Sequence, residues 1–140
     1  MAREIHFHKK ILNVDPKQAL KVVSNFNEYS SFVPGCTGAS LLEKSFPIEI
    51  GRLEFLILGK KYFIESKNTL TSNSISIEQI KGPFEYFEGT WLIEDLSNNS
   101  CNISFQAKFK LPFLLNAITP QSLVDKFSST IIDAFLKRVS

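Results

Sequence analysis

The clearest pattern in the chain is the alternation of apolar and polar residues over 101–111, which gives a strand two unlike faces. Cys101, Ile103, Phe105, Ala107 and Phe109 share one face, and polar side chains occupy the other. A period of two predicts a half-buried strand of an antiparallel sheet. Turn-forming residues separate further apolar segments. They predict strands near 4–12, 37–44, 50–58, 61–71, 74–80 and 86–95.

Helical spacing of apolar residues appears twice. Asp15-Pro16 provides an N-cap and a proline in the first turn, which predicts a helix over 16–25, and a short helical turn follows at 29–32. Thr119-Pro120 begins a final helix, expected to be buried along one side. Its apolar arc comprises Leu123, Val124, Phe127, Ile131, Ile132, Ala134, Phe135 and Val139. We therefore predict a single α+β domain over 1–140, with a curved antiparallel sheet of about seven strands wrapped around this helix.

A curved sheet around one helix leaves space that either the protein's own side chains or a ligand must fill. Alternation assigns these residues to the enclosed side: Leu53, Phe55, Ile64, Trp91, Ile93, Ile103, Phe105 and Phe109, facing Phe127, Ile131 and Phe135. An apolar guest would gain about 0.8 kcal/mol per buried CH₂ group there, but the same pattern is typical of an ordinary core. Ser66 and Asn68 are the inward polar candidates, for a ligand carbonyl or a buried water.

Composition narrows the classes of function. The net charge is +2, from 16 basic and 14 acidic residues, so DNA binding is not expected. The longest apolar run is Phe55–Leu58, too short to span a bilayer, and no secretory signal follows Met1. Two cysteines then indicate reduced thiols, and we expect a cytoplasmic protein.

Candidate catalytic groups are few. Cys36 has no histidine near it in sequence, so a packed, inert thiol is expected. His6 and His8 share a strand face but lack a third ligand, so no metal site is predicted. The glutamates form no evident dyad. These observations predict a non-enzymatic protein without a catalytic cofactor.

The segment Val22–Cys36 resembles the coenzyme Q-binding START-like family, which is grouped with the polyketide cyclase/dehydrase proteins. The likeness extends along the chain and points to a bacterial branch that includes a ribosome-association toxin. Its segments are Pro34–Gly38, Leu70–Asn73, Gly82–Phe84, Gly89–Trp91 and Ala134-Phe135 with Arg138. The resemblance implies a helix-grip fold with a hydrophobic tunnel for a polyprenyl quinone. It also implies family positions at Pro34, Cys36, Trp91 and Phe135.

Two functions follow as expectations from the resemblance. The first is binding of ubiquinone or a related lipid in support of respiration, with transient contact at the inner membrane for lipid exchange. The alternative is the toxin of a toxin–antitoxin pair, which binds the large ribosomal subunit and blocks subunit association. In that role, RNA would face the lysines at 9–10, 60–61, 108 and 110.

Overall fold

A computed structural model describes residues 2–140 and contains seven strands in that range. The strands are β1 (Ala2–Leu12), β2 (Cys36–Ser45), β3 (Ile48–Ile57), β4 (Lys60–Leu70), β5 (Ser74–Lys81), β6 (Tyr86–Ser97) and β7 (Ser100–Lys110). The helices are α1 (Pro16–Ser24), α2 (Tyr29–Phe32), α3 (Phe113–Ile118) and α4 (Gln121–Val139). A 3₁₀ turn over Phe26–Glu28 joins α1 to α2. The predicted strands and principal helices are all present.

The seven strands form one antiparallel sheet in the order β1-β7-β6-β5-β4-β3-β2. Strands β2 to β7 follow one another as hairpins, and β1 completes the sheet beside β7. One end of the sheet therefore carries the start of β1, the end of β7 and the β3–β4 turn. We call this end the α3 end, because α3 follows β7 there. The other end carries the end of β1 and the β2–β3 turn.

The helices between β1 and β2 begin as the sequence indicates. The Asp15 carboxylate accepts a hydrogen bond from the Lys17 backbone N–H at 2.9 Å, and Pro16 opens the helix. This N-cap satisfies one of the backbone donors that a helix start leaves free. Ala19 and Val23 on the next turns are fully buried against the sheet. The α+β helix-grip prediction is confirmed.

Aromatic rings hold α4 to the rest of the molecule. The Phe135 ring lies 4.9 Å from the Trp91 ring, 5.1 Å from Tyr29 and 5.0 Å from Phe32, centroid to centroid. Such tilted and edge-on pairs add to the free energy gained from burying the rings. The C-terminal half of α4 is thus fixed to both the sheet and α2.

The prediction that α4 is buried along one side holds for its second half only. Its buried residues, Ile132, Phe135 and Val139, lie in the second half, whereas Leu123 in the first half is 39% exposed. The reason is the uneven placement of packing partners: the Tyr29, Phe32 and Trp91 rings meet only the second half. Val124 and Phe127 remain half-buried.

Candidate functional site

The apolar residues assigned to the enclosed side do share one face of the sheet, which we call the inner face. Leu53 is opposite Ile64, Trp91 is opposite Phe105, and Ile93 is opposite Ile103 in the strand register. Phe55 and Phe109 continue the same alternation on β3 and β7. The sequence pattern therefore located these side chains correctly. Their role in ligand binding stays a prediction.

Burial divides the inner face into two regions. Ile75, Ile93 and Ile103, toward the end of the sheet away from α3, are at most 2% exposed. Leu53, Phe55 and Ile64, on β3 and β4 toward the α3 end, are only half-buried, whereas Phe109, at the same end of β7, is 4% exposed. The α4 residues Phe127 and Ile131 are half-buried as well. Part of the inner face thus stays accessible, and it is apolar.

The molecule exposes more surface than a compact chain of its mass would. The accessible surface is 8449 Å², whereas a compact chain of this mass exposes about 7,400 Å². Two surface clefts are present elsewhere. One, of about 170 Å³, lies between α1, α2 and the end of α4, and the other, of about 400 Å³, lies beside Arg3 and Asn116. Neither is the enclosed tunnel that the family resemblance implied.

A polar pair interrupts the apolar inner face on β4. The Ser66 hydroxyl donates a hydrogen bond of 2.8 Å to Asn68 Oδ1, and both residues are buried. Asn68 Nδ2 has no hydrogen-bond partner within residues 2–140. A buried amide donor without a partner costs roughly 1–3 kcal/mol. This donor is therefore a candidate for contact with a water or with a ligand oxygen.

Glu49 is an inner-face acid that the sequence analysis missed. It is opposite Asn68 in the β3–β4 register and is only 7% exposed. The predicted strand began at residue 50, which left Glu49 outside it. Continuing the alternation of Phe55, Leu53 and Gly51 by one more step would have found this carboxylate. The inner face thus carries a carboxylate beside an amide donor, as well as apolar side chains.

The thiols are placed as expected. Cys36 and Cys101 are both buried and free, and burial raises the pKa of each thiol above its ordinary value of 9.0. A raised thiol pKa disfavours the reactive thiolate. Burial also raises the pKa of Tyr29, whose hydroxyl donates to the Val23 carbonyl oxygen. None of the three groups is activated for nucleophilic attack.

The remaining predicted positions lie outside the inner face. Pro34 is exposed in the connection between α2 and β2, so it does not line the inner face. His6 and His8 are exposed on the outer face of β1, with their ring centroids 6.1 Å apart. Across residues 2–140, no group of three or more His, Cys, Asp or Glu side chains is suited to a metal ion.

The arrangement of one long helix held in a curved seven-stranded sheet defines a helix-grip, START-like protein. Solved structures with this fold include the Zhui aromatase/cyclase from Streptomyces sp. R1128, with a TM-score of 0.85 and 15% identity over 99% of this chain and 94% of that one. A START superfamily protein from Mycobacterium smegmatis has a TM-score of 0.76 and 16% identity, covering 96% and 92% of the two chains.

The chain belongs to the family described as polyketide cyclase / dehydrase and lipid transport, whose pattern matches residues 12–136. Similar proteins include the persistence and stress-resistance toxin PasT of Escherichia coli O6:H1, 28% identical over 87% of this chain and 78% of that protein. The ribosome association toxin RatA of Vibrio cholerae is 22% identical over 91% of this chain and 90% of that protein. The expected family resemblance is confirmed.

The comparisons correct one expectation. The prediction of a non-enzymatic protein is wrong, because aromatase/cyclases are among the structures that share this fold. One observation behind that prediction, the lack of an evident dyad among the glutamates, also left out Glu49, which is buried on the inner face. Among residues 2–140, no helix combines the length and the apolar character needed to cross a bilayer.

Proposed function

We propose that the protein binds a hydrophobic ligand of the polyprenyl quinone type, such as ubiquinone, on the inner face beneath the first half of α4. The observation that carries this proposal is the set of half-buried apolar residues at the α3 end, represented by Leu53, Phe55 and Ile64. Each isoprenoid unit would bury several carbon atoms there, at about 0.8 kcal/mol per CH₂. The lipid transport named in the family's description supports the same class of ligand.

The quinone ring offers oxygen atoms that match the polar pair. Asn68 Nδ2 is a buried donor without a partner, and a ring carbonyl is an acceptor. A hydrogen bond between them would remove the cost of the orphaned amide. The prenyl tail would then extend over the half-buried residues toward the α3 end.

The direct experiment has two parts. Protein purified from cells is extracted with organic solvent, and the extract is analysed for prenyl quinones by mass spectrometry. The purified protein is then titrated with a short-chain ubiquinone while the fluorescence of Trp91, the single tryptophan, is followed. We expect saturable quenching, because Trp91 lies on the inner face against Phe105 and Phe135.

A pair of variants makes the titration specific. Leu53→Asn places an amide in the proposed tail site, at a half-buried position that tolerates it, and should weaken quinone binding. Ile80→Asn makes the same kind of change at an exposed position of β5 and should leave binding unchanged. Absence of quinone from the extract together with no saturable quenching would reject the proposal.

Association with the large ribosomal subunit is a second candidate, favoured by the names of the related proteins. The exposed pairs Lys9-Lys10 and Lys60-Lys61 are the surface groups that would contact RNA phosphates. Blocking of subunit association would then follow if the bound protein covers the subunit interface. This activity uses the outer surface and is compatible with a ligand on the inner face.

Co-sedimentation with large subunits across a salt series tests this candidate. Four phosphate contacts predict a loss of affinity of roughly 100-fold between about 50 and 200 mM salt. Two double variants are compared to identify which lysine pair contributes to ribosome binding: Lys9→Glu with Lys10→Glu, and Lys60→Glu with Lys61→Glu. Failure to sediment with the subunits even at low salt would contradict ribosome binding.

A further inference from the structure

Helix α3 presents three of its large apolar side chains to solvent. Phe113, Leu114 and Ile118 are 82%, 77% and 76% exposed. Single exposed apolar residues are common, but three large ones on one short helix form a patch that soluble surfaces usually avoid. No described part of the chain covers them.

The orientation of α3 is fixed by its polar side. Arg3 Nε and Nη2 donate to Asn116 Oδ1 at 3.0 and 2.8 Å, and Nη2 also donates to the carbonyl oxygens of Asn116 and Thr119. Asn116 therefore faces the protein together with the half-buried Leu115, while Phe113, Leu114 and Ile118 face outward. This is the reverse of an ordinary amphipathic helix, and hydrogen bonds to a charged donor maintain it.

A further exposed apolar side chain lies at the same end of the sheet. Leu58, at the β3–β4 turn, is 87% exposed, and Lys60 and Lys61 follow it directly. The topology places this turn at the α3 end, where β7 leads into α3. The accessible part of the inner face is also toward this end.

The charges at the α3 end favour an anionic partner. Glu4 and Glu85 are paired with Lys108 and Lys110, at 3.7 and 3.2 Å. Lys60 and Lys61 have no carboxylate within ion-pair distance among residues 2–140. The hairpin tip thus combines an exposed leucine with uncompensated positive charge.

We propose that α3 and the β3–β4 turn form a docking surface for an anionic lipid bilayer. Phe113, Leu114 and Leu58 enter the boundary between head groups and acyl chains, and the two lysines contact the phosphates. RNA would attract the lysines but would leave the aliphatic side chains in water. A symmetric second copy would bring both lysine pairs into one interface, which is unfavourable. A bilayer accommodates both features.

Vesicle flotation tests the proposal without any quinone, so its result is independent of the proposed ligand. Two vesicle types are used: phosphatidylcholine alone, and phosphatidylcholine mixed with phosphatidylglycerol. We expect the protein to float with the anionic vesicles and less so as salt increases. Phe113→Ser combined with Leu114→Ser should lower the apparent affinity at least about 30-fold, because two large apolar side chains no longer insert.

Matched controls lie at the other end of β1. Leu12 is also exposed, and Lys9-Lys10 is also a lysine pair. Vesicle binding should be unchanged in two control variants, Leu12→Ser and the double variant Lys9→Glu with Lys10→Glu. It should fall in the double variant Lys60→Glu with Lys61→Glu. All the altered side chains are exposed, and circular dichroism and thermal melting verify that each variant is folded.

Five results would overturn the proposal. The first is absence of flotation for the unaltered protein, and the second is equal binding by the α3 variant. The third is an equal loss of binding in the Leu12→Ser control. The fourth is a change from dimer to monomer in the α3 variant with vesicle binding unaffected, which would assign the surface to a second copy of the chain. The fifth is loss of ribosome co-sedimentation by the α3 variant with vesicle binding unaffected, which would reject a bilayer as the occupant.

Discussion

At the scale of single residues, Asn68 is the side chain whose replacement tests the proposed contact with the quinone ring. Asn68→Leu keeps the volume but removes the unpartnered Nδ2 donor. We expect the dissociation constant for a short-chain ubiquinone to rise roughly 3- to 10-fold, the value of one neutral hydrogen bond. The free energy of unfolding should change by less than about 1.5 kcal/mol, since an orphaned donor is lost along with one hydrogen bond.

Ser66→Ala is the matched control for this prediction. It removes the hydroxyl that donates to Asn68 Oδ1 but keeps the Nδ2 donor. We expect a loss of about 1–2 kcal/mol in the free energy of unfolding with little change in quinone affinity. Urea unfolding and fluorescence titration measure the two quantities. An unchanged quinone affinity in Asn68→Leu would show that the ligand does not contact this amide.

The buried thiols and Tyr29 predict a loss of stability in alkali. Burial raises the pKa of Cys36 above 9.0, and the pKa of Cys101 and of Tyr29 is raised for the same reason. Below the unfolded-state pKa both states keep the thiol proton, and stability is fully retained. As the pH rises further, the unfolded chain releases protons that the folded chain holds, so the free energy of unfolding falls.

Urea unfolding at several pH values between about 8 and 10 measures this effect. Other groups titrate in the same range, so the decline in the free energy of unfolding with pH is compared between the unaltered protein and a cysteine variant. Cys36→Ala should show a shallower decline than the unaltered protein, because one of the proton-retaining groups is gone. A decline of equal slope in both proteins would mean that the Cys36 thiol titrates alike in the folded and unfolded states.

Two charged residues of the inner face lie at strand ends, where sequence patterns are least informative. Glu49 and Arg3 each lie just outside a predicted strand but inside the observed one. Both are charged, and a charged residue at a strand boundary suggests a solvated turn. The strand register, which places Glu49 opposite Asn68 and Arg3 opposite Phe109, assigns both residues to the inner face.

At the scale of elements, the contact between the 3₁₀ turn and β3 depends on a glycine. A Cβ atom at Gly51 would lie 2.5 Å from Phe26 Cε1, and Phe26 is itself almost fully buried. Gly51→Ala should therefore lower the free energy of unfolding by about 1–3 kcal/mol, the usual cost of overpacking. Denaturant unfolding provides the measurement.

Gly38, on the neighbouring strand β2, offers a control for this change. A Cβ there would lie 3.5 Å from the flexible Glu54 side chain, an ordinary contact. Gly38→Ala should be close to neutral, or slightly stabilising through the unfolded chain. Equal effects of the two substitutions would mean that the Phe26 ring moves aside without cost.

The helices show what periodicity can and cannot predict. The apolar arc of α4 correctly identified Phe135 as a core residue, since helical spacing places it beside Ile131 and Ile132. The same arc gave no sign that the first half would be left half-buried, because that depends on which side chains the sheet and α2 place opposite it. The outward face of α3 was equally hidden, since it is determined by Arg3, more than 100 residues away in the chain.

At the scale of the whole molecule, the fold was predictable because local patterns and the family resemblance agreed. Strand alternation and turn residues gave a sheet of seven strands, and the segment Val22–Cys36 gave the START-like family. The same alternation of Leu53, Phe55 and Ile64 is compatible with a filled core and with an open cleft. The folded structure adds that these three side chains are only half-buried, which is compatible with a cleft over this part of the inner face.

An open cleft predicts that a ligand stabilises the entire domain. A ligand that binds only the folded state at 100 times its dissociation constant adds about 2.7 kcal/mol. For a chain of this length, that corresponds to an increase in Tm of roughly 5–10 °C. The measurement is thermal unfolding, followed through Trp91, with increasing short-chain ubiquinone.

The chemistry of the ligand can be separated from its hydrophobicity in the same experiment. A prenyl alcohol with the same tail buries similar apolar surface over Leu53 and Ile64 but offers no ring carbonyl to Asn68 Nδ2. It should therefore raise Tm less than the quinone does. Equal shifts would indicate an apolar site without a headgroup contact, and no saturable shift with either ligand would mean that the half-buried inner face is merely incomplete packing.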